Sequence, residues 1–161
     1  MRQRQGGADC NRHGASDRGI EALDPRMICA LTVARFFFQS FSAPQLEGWT
    51  RALSGAEQML GSKAGPEFAC GVLRMVQAMR CSRKSVFHFS NPDCGHCAST
   101  LSGHERLLMH SLWACLKGRP EDAAGLAMLL CEGNDTSDLV AAMTDLAGIM
   151  RGLRGAPWVR A

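Results

Sequence analysis

Tyrosine is absent from this 161-residue chain, and aromatic residues make up only 6% of it. No phenolic acid or base is therefore available to any reaction. Long apolar runs are also lacking. The most apolar stretch, Met27 to Phe38, is about half the length a bilayer requires and is interrupted by Arg35. A long lead of mixed charge precedes it and no small-residue cleavage site follows cleanly, which makes it a poor secretory signal. A dense basic stripe is missing too: 18 basic and 15 acidic residues leave a net charge of +3. The excess sits in residues 25–93, around Arg74, Arg80, Arg83 and Lys84, well short of the footprint of a typical nucleic-acid binder. The chain shows no glycine-rich phosphate loop, nucleophile elbow, His-Glu-x-x-His helix or carboxylate pair suited to acid–base work.

What is present is an average globular composition, 46% apolar and 20% charged, in a length that fits one domain with its own core. Without an export signal the expected setting is the cytoplasm. There, eight cysteines read as thiols or metal ligands rather than disulfides. Residues 1–24, rich in Gly, Arg and Asp and without apolar periodicity, read as a disordered extension. Met27 offers an alternative start, which leaves residues 1–26 in question as part of the natural protein.

From Asp24 onward the pattern is helical. Asp24-Pro25 is a helix start, a capping carboxylate followed by proline at the first position. Pro25 to Phe41 is apolar nearly all round, as a buried helix should be, with a strand as the alternative. Ser42-Ala43-Pro44 stops it and caps a second helix through Leu46, Trp49 and Leu53. Ser54–Glu57 and Ser102–Glu105 both read as capping boxes, where serine accepts a terminal N–H and glutamate reaches back. Phe68, Val72, Met75, Val76 and Met79 recur at helical spacing. So do Leu108, Leu112 and Cys115, then Ala123, Leu126, Ala127 and Leu130 after Arg119-Pro120. A last helix, capped by Asp135 or Thr136, carries Leu139, Met143, Leu146, Met150 and Leu153. The expectation is a mainly α domain over 25–155, a bundle of about five to six helices, with a strand-like and knuckle segment around 85–97 and a tail at 156–161. In the strand-like run Ser85–Ser90, Val86 and His88 alternate with Phe87 and Phe89.

The specific chemical signal is Cys94-Gly95-His96-Cys97. A Cys-x-x-Cys turn can place two thiolates on one zinc ion at about 2.3 Å each, and Asn91-Pro92-Asp93 with Gly95 supplies turn chemistry. His88 and His104 bracket the turn as His-x5-Cys-x2-Cys-x6-His, so Cys94, Cys97, His88 and His104 form the expected zinc set. Cys81, Cys115, Cys131 and His96 are the alternative third and fourth ligands, although Cys115 and Cys131 read better as small core residues. Arg80, Arg83 and Lys84 cluster at a helix C-terminus, where the dipole favours cations. Nine methionines fall largely at core positions, which favours packing over a soft-metal role.

The run Val86-Phe87-His88-Phe89-Ser90-Asn91-Pro92-Asp93-Cys94-Gly95-His96-Cys97 resembles the strand-then-CGHC active site of protein disulfide isomerases and other thioredoxin-like proteins. The resemblance implies an attacking Cys94 thiolate at a helix N-terminus, a resolving Cys97, and His96 depressing the thiol pKa. The thioredoxin fold also needs later strands, and the segments after residue 102 are amphipathic helices. The sequence therefore points first to a non-enzymatic zinc-stabilised helical module, a bacterial regulatory or interaction protein with a protein partner. Second comes a thiol oxidoreductase or redox sensor, and third a nucleic-acid-binding zinc module. No small-molecule substrate and no membrane partner are expected.

Overall fold

The computed structural model describes residues 19–153, 155, 156 and 158. Among them stand five helices of 11 to 35 residues and one helix of a single turn. In order these are α1 (Pro25–Ser42), α2 (Gly48–Ser82), the short α3 (Gly95–Ala98), α4 (Gly103–Leu116), α5 (Pro120–Leu130) and α6 (Ser137–Gly152). The mainly α bundle expected from the periodicities is the observed architecture.

Helix α1 starts as its sequence dictates. The Asp24 carboxylate accepts the Arg26 N–H at 3.0 Å, and Pro25 occupies the first turn, where no N–H is needed. Its apolar residues are buried on nearly every side, because α1 packs chiefly on α2 and also meets α4 and the end of α3. The strand alternative for this segment is thereby excluded. α2 packs in turn on α6, and α4 on α5 and α6. Phe68, Val72, Met75, Val76 and Met79 of α2 face Leu139, Met143, Leu146 and Met150 of α6 through one continuous core. The methionines at 27, 75, 79, 109, 143 and 150 all lie within that core.

Two local expectations need correction. The helix after α1 begins at Gly48, not at Pro44; Pro44–Leu46 forms a 3-10 turn that ends at Glu47 in the left-handed conformation. Ser54 is not a cap. It lies inside α2, and its hydroxyl donates back to the Thr50 carbonyl at 2.8 Å, which a serine in mid-helix can do without ending the helix. The real break comes at Gly61, whose φ of 83° and ψ of 163° divide α2 into two arms. Only glycine adopts that conformation without strain. Ser102–Glu105 is a true capping box: Ser102 Oγ accepts the Glu105 N–H at 3.1 Å and Glu105 accepts the Ser102 N–H at 2.9 Å. The two look alike in sequence because the motif is short, and only tertiary context selects one.

The strand-like run also differs from expectation. Ser85–Ser90 is extended, but among the described residues it pairs with no strand. Its alternation is nonetheless real. Phe87 and Phe89 pack on Phe38 of α1, with ring centroids 4.4 and 5.5 Å away, while Val86 and His88 face solvent. One face of a period-two pattern is satisfied by a helix instead of a sheet.

Residues 19–24 belong to the ordered body, with a 3-10 turn at Ile20–Ala22. The remainder of the expected extension, residues 1–18, lies outside the described residues, as does most of the 156–161 tail. Of that tail, Trp158 packs edge-on against Phe68 at 5.9 Å.

The kink in α2 yields a test that separates helix propensity from packing. A Cβ on Gly65 would sit 2.5 Å from Glu57 Cα, across the two arms, whereas one on Gly55 would meet nothing within 4 Å. Gly55→Ala should stabilise the protein by roughly 0.5–1 kcal/mol through backbone entropy. Gly65→Ala should destabilise it despite the same propensity gain. Equal and positive shifts in thermal melting would show that the arms are not in contact.

Candidate functional site

The Cys94–Cys97 turn lies in the long connection between α2 and α4, residues 83–102, which has little regular structure of its own. A buried ion pair holds it. Arg35, the one charge in the apolar centre of α1, forms a bidentate pair with Glu105 of α4, Nε to Oε1 at 2.7 Å and the second guanidinium nitrogen to Oε2 at 3.0 Å. Their side chains are 3% and 0% exposed. Arg35 also donates to the carbonyls of Ala98 (2.7 Å) and Thr100 (2.5 Å). Glu105 accepts the backbone N–H groups of Ser90 (3.1 Å) and Ser102 (2.9 Å). Every charged atom that must leave water thus finds a partner, which is the condition under which a buried pair is tolerated. Four backbone groups between residues 90 and 102 are fixed in the process.

A second layer positions the turn itself. Asp93, next to Cys94, accepts Gln39 Nε2 at 2.6 Å and pairs with Arg51 at 2.6 Å. These hydrogen bonds and the adjacent guanidinium hold the Asp93 carboxyl below the usual carboxylate range. Asn91 closes a side-chain turn onto the Asp93 N–H at 2.9 Å, as Asx residues do before a helix start. Cys94 then caps α3, its Sγ accepting the Cys97 N–H at 3.4 Å. Both cysteines are half-buried. His96 is exposed, and Gly95 and Ala98 border a cleft of about 460 Å³ with Arg35, Phe36 and Ile20.

The bracketing histidines come together with each other. The His88 and His104 rings stack 5.3 Å apart. His104, however, is engaged by the fold: its Nδ1 accepts the His88 backbone N–H at 2.9 Å, and its Nε2 faces the Arg83 guanidinium at 3.1 Å. A neutral imidazole accepts at only one nitrogen, and an imidazolium accepts at neither. Burial, then the charges of Arg83 and His88, accordingly push the His104 pKa below 6.5. Arg83 itself is held by the Leu130 carbonyl and by Glu132 at 3.2 Å. Among the described residues no group of three or more His, Cys, Asp or Glu is arranged to hold a metal ion. Cys115 and Cys131 are buried in the core, where burial pushes the Cys115 thiol up, while Cys81 is exposed on α2.

Two members of the basic cluster meet partners within the fold. Arg80 lies over the Phe41 ring at 3.6 Å and Arg83 is consumed by its ion pair. Sequence reasoning found Glu105 as a capping residue but overlooked Arg35 as its partner. The signal was present: a lone arginine inside an otherwise apolar helix has to meet a buried carboxylate.

Compared with protein-family models, curated proteins and solved structures, the chain matches none of them.

Two predictions follow from this geometry. Arg35→Met strands the Glu105 charge in the core and should cost about 3–5 kcal/mol in urea unfolding, while Arg35→Met/Glu105→Gln should cost less. A double variant worse than the single would refute the pairing. For His104, the unfolded chain binds a proton below pH 6.5 that the folded chain resists, so its contribution is complete above 6.5 and is lost as pH falls through that value. With chelator present, His104→Asn, which keeps an acceptor for the His88 N–H, should flatten the fall in melting temperature below pH 6.5; an unchanged slope would contradict the assignment.

Proposed function

We propose that this chain is a non-enzymatic helical module, stapled by a metal ion at Cys94 and Cys97, that acts through contact with a protein partner. The observation that carries the reading is the state of the turn. Both thiols sit on one helical turn, fixed to α1, α2 and α4 by Arg35, Glu105, Asp93 and Arg51. The Cys97 N–H directed at Cys94 Sγ offsets negative charge on sulfur, as a thiolate ligand requires. Beside the turn, the Asp93 carboxylate is already occupied by Arg51 and Gln39.

A contact surface is available at the α1–α2 junction. Leu46, Trp49 and Leu53 are exposed there, Trp49 by 53%, and an exposed tryptophan among leucines is the composition of an interface anchor. No helix of the described residues is long and apolar enough to cross a membrane. The cytoplasm is the proposed setting, because the thiols must stay reduced to bind metal.

A thiol oxidoreductase is the second reading, favoured by the same Cys97 N–H to Cys94 Sγ bond, which would also stabilise an attacking thiolate. A nucleic-acid role has little left to support it once Arg80 and Arg83 are committed to Phe41 and Glu132. Elemental analysis decides between the first two. The module reading expects about one zinc per chain, lost in Cys94→Ser. Metal-free protein whose Cys94 thiol titrates well below about 8.5 would establish the redox reading instead.

A further inference from the structure

Just after α2 stands an arginine whose hydrogen bonding the fold leaves incomplete. The Arg83 side chain is 8% exposed, and its terminal nitrogens are engaged: one donates to the Leu130 carbonyl and the other meets Glu132 at 3.2 Å. Its Nε–H has no such partner. Among the described residues it is the one buried side-chain nitrogen or oxygen that makes no hydrogen bond. The contact with His104 adds to the imbalance. Nδ1 of that ring accepts the His88 N–H, so in the neutral ring Nε2 carries the proton and faces the Arg83 guanidinium at 3.1 Å, donor against donor. This corner of the molecule has more donors than acceptors, and a buried donor left unmet is costly.

Arg83 also lines a cleft of about 390 Å³ between α1, the end of α2 and the extended run that follows. Small-molecule sites occupy about 300–1,000 Å³. Four of the seven phenylalanines, Phe38, Phe41, Phe87 and Phe89, border it. The apolar wall is partly open to solvent, with Phe41 37% and Val86 73% exposed. Arg80, one helical turn before Arg83, is the second cation at the wall. It is held against the Phe41 ring at 3.6 Å and, among the described residues, donates only to Gln77, at 2.5 Å, so it has N–H groups to spare. No residue that borders the cleft is acidic.

We propose that this cleft binds a small monocarboxylate with an apolar body. The carboxylate meets the guanidiniums of Arg80 and Arg83, and the body lies among the phenylalanine rings. A carboxylate supplies the acceptors this corner lacks and matches the planar guanidinium. Its single charge answers that of Arg80, since Glu132 already pairs with Arg83. Binding makes and breaks no covalent bond, so the chain gains a ligand and not a substrate. No residue of the Cys94–Cys97 turn borders the cleft, and the site needs no metal.

The test uses the full chain with chelator present and follows phenylbutyrate and octanoate by titration calorimetry. Arg80→Gln, Val86→Asp and Val86→Lys change exposed side chains, so circular dichroism should report an intact fold. The expected result is saturable binding of at least one acid, tighter than about 1 mM. Phenylbutyramide or octanamide, the same body without the charge, should bind roughly tenfold or more weakly, as should the acid in Arg80→Gln, because a hydrogen bond to a charged group is lost. Val86→Asp should weaken the acid and Val86→Lys should not. In isotope-labelled protein the Arg83 Nε–H resonance should shift on binding while that of Arg51, outside the cleft, stays in place. Absence of saturable binding by both acids overturns the proposal. So does an amide that binds as tightly as its acid, or inorganic phosphate that competes as well as the acid binds. Acid binding undiminished in both Arg80→Gln and Val86→Asp would put the ligand elsewhere and overturn it too.

Discussion

Arg35 and Glu105 meet in the interior with two charge-assisted bonds between them and with the backbone of Ser90, Ala98, Thr100 and Ser102 taking up their remaining capacity. Among the described residues the connection between α2 and α4 has neither a strand partner nor a long helix to order it, and a segment of that length would otherwise remain mobile. Here its polar backbone groups are met by a guanidinium and a carboxylate anchored in two helices. The pair contributes little net stability by itself, since desolvation offsets most of the attraction. What it supplies is a single arrangement of the loop. Without it, the Cys94 turn would be tied to the bundle chiefly through Asp93 and its partners Gln39 and Arg51.

The helices and their core were legible because burial obeys periodicity. Phe68, Val72, Met75, Val76 and Met79, like Leu139, Met143, Leu146 and Met150, are buried as their spacing required. Boundaries were less legible. Ser54 and Ser102 carry the same local chemistry, yet one lies inside a helix and the other begins one. The break at Gly61 left no mark beyond a glycine among many. The strand-like run shows that alternation reports one buried face and not what covers it; Phe38 of α1 covers the Phe87 and Phe89 face.

The site was legible in part. Cys94 and Cys97 form the turn that their spacing indicates, and His88 and His104 do adjoin each other. Proximity in sequence did not reveal that His104 is committed to the backbone of His88 and faces Arg83. Nor did it reveal Arg35, because a contact across 70 positions has no local signature.

The account rests on the claim that the bundle itself presents the Cys94 turn, through Arg35 and Glu105, before any metal binds. Amide hydrogen exchange of Ser90 in chelator-treated protein tests this most directly, because its N–H is held by Glu105 and by no helix or sheet. The account predicts exchange as slow as that of core amides in α1 and α4, with loss of that protection in Glu105→Gln. Exchange at the rate of an unstructured peptide in the metal-free chain would contradict it, since the loop would then owe its order to the ion and not to the ion pair.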